Sequence, residues 1–133
     1  MQALVQAAMT KLLVYGTLRR FHHNHKALGL DESLEFISDV RLRGYSLYNL
    51  GWFPGVIPNL SGSVACELYR VTNHDIFRYI DQYEGFDPRS LKDSMFVRKN
   101  VTLDDGTEAQ IYVYNGSVDP TDEVLTGDWK DVS

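Results

Sequence analysis

Only one segment of this chain, residues 73–84, repeats its apolar side chains with a helical period, and strand patterns fill most of the rest. On that segment Ile76, Ile80 and Tyr83 share a stripe with Phe77 at its edge. Thr72-Asn73 supplies an N-cap, Asp75 suits the first turn, and Gly85 stands where a C-cap glycine belongs. Many strands with a single clear helix predict a small, curled, mixed sheet or barrel.

The strand signals run in order. Residues 11–15 carry the apolar run Leu12-Leu13-Val14, and a polar stretch with His22-His23-Asn24-His25 and one short helix follows. Residues 35–50 predict two strands hinged near Gly44, and Gly51-Trp52-Phe53-Pro54-Gly55 reads as a turn or loop. Residues 62–71 alternate, with Val64, Cys66 and Leu68 on one face and Ala65, Glu67 and Tyr69 on the other, as in a half-buried strand. Residues 94–103 and 108–115 pair as a hairpin about Asp104-Asp105-Gly106, and Trp129 is expected to pack back onto the body. No linker divides the chain. The expected organisation is one domain over 11–129 with an N-terminal extension over 1–10.

Composition enters mainly through what it excludes. With 13 Lys and Arg against 18 Asp and Glu, the net charge is −5, and no basic stripe offers itself to nucleic acid. Nothing approaches the ~18 consecutive apolar residues of a membrane span. Residues 1–10 lack the basic start of a signal peptide. The single cysteine, Cys66, permits no internal disulfide and suits a reducing cytoplasm. Small-molecule or protein partners remain, and the oligomeric state is not readable.

Two features suggest chemistry. The first strand runs straight into Tyr15-Gly16-Thr17-Leu18, and a glycine turn at a strand end leaves backbone N–H groups free for an anion or a carbonyl oxygen. The second is Glu84. At about 100° per residue it falls between Ile80 and Phe77, among core side chains, at the helix C-terminus. Burial and the helix dipole both favour its protonated form, which places it nearer the range of a general acid or base. The alternative is a helix that frays early and releases Glu84 to solvent.

Tyr15-Gly16-Thr17-Leu18 after a strand, Asn24-His25 soon after, and Asp81-Gln82-Tyr83-Glu84-Gly85 at a helix end together resemble the γ-glutamylcyclotransferase-like superfamily. The closest likeness is to its short bacterial type and to γ-glutamylamine cyclotransferase. Leu47-Tyr48-Asn49-Leu50-Gly51-Trp52-Phe53-Pro54-Gly55 and Gly127-Asp128-Trp129 fit the same pattern. The resemblance implies an α+β fold, a small mixed β-barrel with flanking short helices. It implies release of an amine or amino acid from a γ-glutamyl amide as the glutamyl group closes to 5-oxoproline, with no metal or cofactor. Glu84 would be the general acid/base, and the backbone of Tyr15, Gly16, Thr17 and Leu18 would hold the glutamyl part. Arg98 and Tyr114 are expected in the pocket wall. The chain departs from the pattern at Arg20-Phe21-His22, where glycine is common, at Phe86, and at Phe96-Val97-Arg98, where the first residue is usually tyrosine.

Competing readings are a non-catalytic binding or regulatory protein using the same pocket, and an interaction module using the Trp52-Phe53 loop. His22, His23, His25 and Asp31 lack zinc spacing and read as surface residues. Cys66, in line with Val64 and Leu68, reads as buried and inert.

Overall fold

The computed structural model describes residues 10–132. Lys11–Val14 forms strand β1, followed by the short helix α1 (His23–Ala27), β2 (Leu34–Asn49), β3 (Pro54–Val71), helix α2 (Ile76–Glu84), β4 (Phe96–Thr102) and β5 (Glu108–Tyr114). The five strands make one mixed sheet in the order β2-β3-β1-β5-β4. β1 runs antiparallel to β3 and parallel to β5, so the shortest strand sits in the middle. Its sequence explains that place. Leu12 and Val14 enter one hydrophobic cluster while Leu13 enters the other, and an unbroken apolar run suits a strand buried on both faces.

The stretch expected as two strands hinged at Gly44 is one strand. The register against β3 shifts between Arg43 and Tyr45, and Gly44 has φ +90°. Gly44 alone faces residues 59–62 of β3, and that bulge on β3 lets the ladder continue. β3 also departs from the expected pattern. Val64, Cys66 and Leu68 face one cluster as anticipated, yet Glu67 and Tyr69 on the opposite face are just as buried. Glu67 is tolerated there because its carboxylate accepts from the Tyr69 hydroxyl and the Arg20 N–H and pairs with Arg19.

Helix α2 begins three residues later than its cap signals suggest. Asn73 Oδ1 accepts the N–H of Asp75, and that Asx turn delays the first helical residue to Ile76. The other end agrees with expectation. Gly85 has φ +66°, the Phe86 N–H reaches the Asp81 carbonyl, and the Gly85 N–H reaches that of Gln82. Ile76, Phe77 and Ile80 bury against Leu12, Val14 and Tyr112.

The opposite face of the sheet buries Leu42, Leu47, Val56, Val64 and Ile111 with Trp129, which folds back as expected. The expectation of a barrel needs correcting. Among the described residues no ladder joins β2 to β4, so the sheet is open. The hairpin of β2 and β3 is 16 and 18 residues long and that of β4 and β5 only 7 and 7, so one side outruns the other. The tail covers the excess. Val124 N–H bonds to the Leu47 carbonyl, and Ala65 N–H to that of Gly127.

No helix among the described residues is long and apolar enough to cross a membrane. Of the expected extension over 1–10, residues 1–9 lie outside the described residues, and the Thr10 carbonyl accepts the Val71 N–H at 2.9 Å.

Candidate functional site

Where β1 ends, the turn 15–18 meets the last turn of α2 across a cavity of about 520 Å³. All four turn residues line it, with Glu84, Tyr83 and Asn24. The glycine is required by packing. A Cβ on Gly16 would lie 2.4 Å from Pro54 Cγ, so this ring presses the turn against the end of the β2–β3 hairpin. The turn closes through the Arg19 N–H to the Gly16 carbonyl at 3.0 Å. Among the described residues, the N–H groups of Gly16, Thr17 and Leu18 meet no protein acceptor.

Each side chain of the turn is anchored separately. The buried Tyr15 hydroxyl donates to the Tyr112 carbonyl at 2.7 Å. Leu18 packs in the helix-side cluster, and its carbonyl accepts from His25 Nδ1 at 2.7 Å. The other ring nitrogen of His25 lies 2.8 Å from Asp31 Oδ1. His25 is therefore a buried brace, contrary to the surface reading of the histidines. His22 caps α1, its Nδ1 accepting the Asn24 N–H. Among the described residues no group of three or more His, Cys, Asp or Glu is placed to hold a metal ion.

Thr17 and Asn24 converge on Tyr83, whose hydroxyl lies 2.7 Å from Thr17 Oγ1 and accepts from Asn24 Nδ2 at 2.8 Å. The helical stripe placed Tyr83 among apolar core residues. Its ring is instead 41% exposed, with the hydroxyl at the cavity. A tyrosine in the last turn, beside the one carboxylate on that face, was the signal for this role, because its polar tip needs a partner.

Glu84 ends α2 as expected and does not fray into solvent. Among the described residues no side-chain oxygen is both fully buried and without a partner, and no group donates to the Glu84 carboxyl. Its oxygens must therefore touch the cavity. Desolvation by the surrounding protein pushes its pKa from 4.5 up to about 8. Burial, and then the charge of Glu84, holds the Tyr15 hydroxyl well above its ordinary value.

Arg98 and Tyr114 are not brought into this wall. Arg98 lies behind it. Its Nε is 3.3 Å from Asp81 Oδ1 and its guanidinium stacks 4.1 Å over the Phe77 ring. Asp81 in turn accepts the hydroxyl of Tyr112, which does line the cavity. Burial, then that hydrogen bond, raises the Tyr112 pKa. Tyr114 packs its ring 5.5 Å from that of Phe96. The ladder pairs Phe96 with Tyr114 and Arg98 with Tyr112, so both side chains stand on the α2 face of the sheet, where Asp81 claims Arg98 and the Phe96 ring claims Tyr114.

A second anchor holds the turn from its far side. Arg19, 5% exposed, pairs with Glu67 at 3.3 Å and with Asp128 of the tail at 2.7 Å. Burial pushes the Cys66 thiol up to about 12, so it is an inert core residue, as expected.

Comparison with known proteins adds the following. The family model described as gamma-glutamyl cyclotransferase, AIG2-like matches residues 12–131. The gamma-glutamylcyclotransferase family protein YtfP of Escherichia coli K12 is 28% identical over 121 residues, covering 91% of this chain and 96% of that protein. The solution structure of E. coli ytfP superposes with a TM-score of 0.68 at 27% identity, over 92% of this chain and 97% of that one. The crystal structure of the uncharacterized protein PH0828 from Pyrococcus horikoshii has a TM-score of 0.71 at 20% identity, over 92% of each chain, a likeness of fold.

Proposed function

The chain belongs to the gamma-glutamyl cyclotransferase, AIG2-like family, and from that membership we propose that it is an enzyme acting on a small γ-glutamyl amide. The amide is cleaved to a free amine and 5-oxoproline. One observation carries the proposal: a carboxyl poised at about pH 8, Glu84, opens onto the cavity lined by the donor-bearing turn 15–18.

The chemistry follows from those two groups. In the proposal the substrate α-carboxylate sits on the N–H groups of Gly16, Thr17 and Leu18. Ionised Glu84 takes a proton from the α-ammonium, and the freed nitrogen attacks the γ-carbonyl carbon of the same molecule. Glu84 returns that proton to the departing nitrogen as the C–N bond breaks, the ring nitrogen gives up its second proton by the same route, and the amine leaves protonated. A Glu84 pKa raised from 4.5 to about 8 lies nearer that of an α-ammonium, so the proton moves both ways at less cost than it would with an ordinary carboxylate. Ring closure is intramolecular, and the protein's contribution is mostly to hold the chain bent with fixed dipoles beside it. The proposal extends to one domain over 11–129, working in the cytoplasm without a cofactor.

The test is incubation with a panel of γ-glutamyl compounds, γ-glutamyl-lysine and glutathione among them, with 5-oxoproline as the readout. Product is expected from the wild type and not from Glu84→Gln. Undiminished product from Glu84→Gln overturns the assigned base. A wild type that binds panel members by calorimetry without turning them over moves the reading to a non-catalytic binding protein.

A further inference from the structure

We propose that the amine released at this site is an apolar, carboxylate-free amine of the arylalkyl class, seated against Trp52 and Phe53. The inference rests on the reaction proposed above and names the leaving group that its cavity fits.

The cavity is graded from a covered end to an open one. Tyr15, Tyr112 and Phe96 are almost fully buried, whereas Met95 is 52% and Trp52 93% exposed. The turn donors and Glu84 serve the glutamyl part, so the leaving group must lie along the remaining lining. That lining has a polar side, His22, His23 and Asn24 at the start of α1. Its other side is aromatic and apolar, Trp52, Phe53, Met95 and Phe96, where the Phe53 and Phe96 rings lie 6.1 Å apart and a leaving group finds most contact. A tryptophan carried almost wholly in water on a short turn recovers apolar contact when a ring settles on it.

Charge narrows the class further. Among the described residues no lysine or arginine lines the cavity, and Glu84 is its single carboxylate. The arginines nearest in sequence to its walls are engaged elsewhere, Arg19 with Glu67 and Asp128, Arg20 with Asp39, Arg98 with Asp81. His22 and His23 also line the cavity, and burial and then His23 hold His22 below its ordinary pKa. One substrate carboxylate finds the free N–H groups of the turn. A second carboxylate, on a departing amino acid, would lose water against the aromatic walls and meet no lysine or arginine there.

Two substrates that differ by one carboxylate test this: γ-glutamylphenethylamide and γ-glutamylphenylalanine. The amide is expected to show at least about tenfold higher kcat/KM for 5-oxoproline release. It should also bind at least as selectively to Glu84→Gln in calorimetry. Trp52→Ala should raise KM for the phenethylamide, and Trp52→Arg should raise the relative turnover of γ-glutamylphenylalanine by supplying the missing cation. Equal or reversed preference overturns the inference. If neither compound is turned over but the amide binds more tightly, the reaction reading fails and the cavity's preference for an apolar, carboxylate-free group stands without it. Equal binding, or none, without turnover overturns both.

Discussion

The hydroxyl of Tyr83 lies 2.7 Å from Thr17 Oγ1, across 66 residues of sequence. It joins the glycine turn at the end of β1 to the last turn of α2, one residue before Glu84. The two halves of the candidate site are therefore tied by a polar contact at its rim, and Asn24 completes the tie from α1.

Removing that hydroxyl should loosen the turn without unfolding the protein. Tyr83→Phe is expected to cost about 1 kcal/mol in urea unfolding, the net value of a hydrogen bond at a partly exposed position. It should also lower kcat/KM by about tenfold through misplacement of the turn donors. A pH profile unchanged in midpoint distinguishes this positioning role from proton transfer. Unaltered kcat/KM would show that Tyr83 does not locate the turn.

Glu84→Gln should lower kcat by about 10²–10⁴, the usual contribution of a general base. In the wild type kcat/KM should rise with pH toward about pH 8, where the Glu84 carboxyl ionises, and fall again once the substrate α-ammonium loses its proton. Rate measurements from pH 5 to 9.5 check this, and a limb centred near pH 4.5 would contradict the environment described for Glu84.

The same carboxyl makes a stability prediction that needs no substrate. Its pKa is raised by folding, so the folded state binds the proton more tightly than the unfolded chain. Below pH 4.5 both states are protonated and no penalty exists. As pH rises from 4.5 to about 8 the unfolded chain ionises first, and stability falls. Above about pH 8 the penalty is constant, on the order of a few kcal/mol and less where water reaches the group. The Tm of Glu84→Gln should therefore exceed that of the wild type by a margin that grows across this window.

Arg19→Met leaves the carboxylate of Glu67, 1% exposed, short of its buried cation. Arg20 still pairs with that carboxylate at 3.4 Å, so the expected cost is ~1–3 kcal/mol in denaturant unfolding. Adding Glu67→Leu should recover part of it, because the stranded charge is then gone. No recovery in the double variant would mean that the loss came from Asp128 of the tail.

Gly16→Ala should destabilise by ~1–3 kcal/mol, since the new Cβ must push the Pro54 ring away. A second change, Pro54→Ala, should relieve most of this strain. Chemical denaturation of the two single variants and the double gives the coupling directly.

Much was legible in the chain because local physics decides it. The apolar run Leu12-Leu13-Val14 foretold a strand, and Gly85 foretold the helix end. The projection of Glu84 between Ile80 and Phe77 foretold a desolvated carboxyl. The polar face of β3 was misread, since alternation cannot reveal that Arg19 and Tyr69 would satisfy Glu67 inside the protein. Tyr83 was misread for a similar reason: its partners Thr17 and Asn24 lie 66 and 59 residues away. Arg98 and Tyr114 were placed in the wall from a hairpin pattern that does not say which neighbour will claim each side chain.

The sequence by itself determined most of the elements, the C-terminal end of α2 and which residues carried unusual chemistry, because caps, turns and periodicity act over a few residues. Tertiary structure alone decided that the sheet stays open and that the tail covers its longer side. It also decided that the donors at 16–18 share one cavity with Glu84. Those outcomes depend on unequal hairpin lengths and on side chains meeting across the whole chain, where no local pattern sets the geometry.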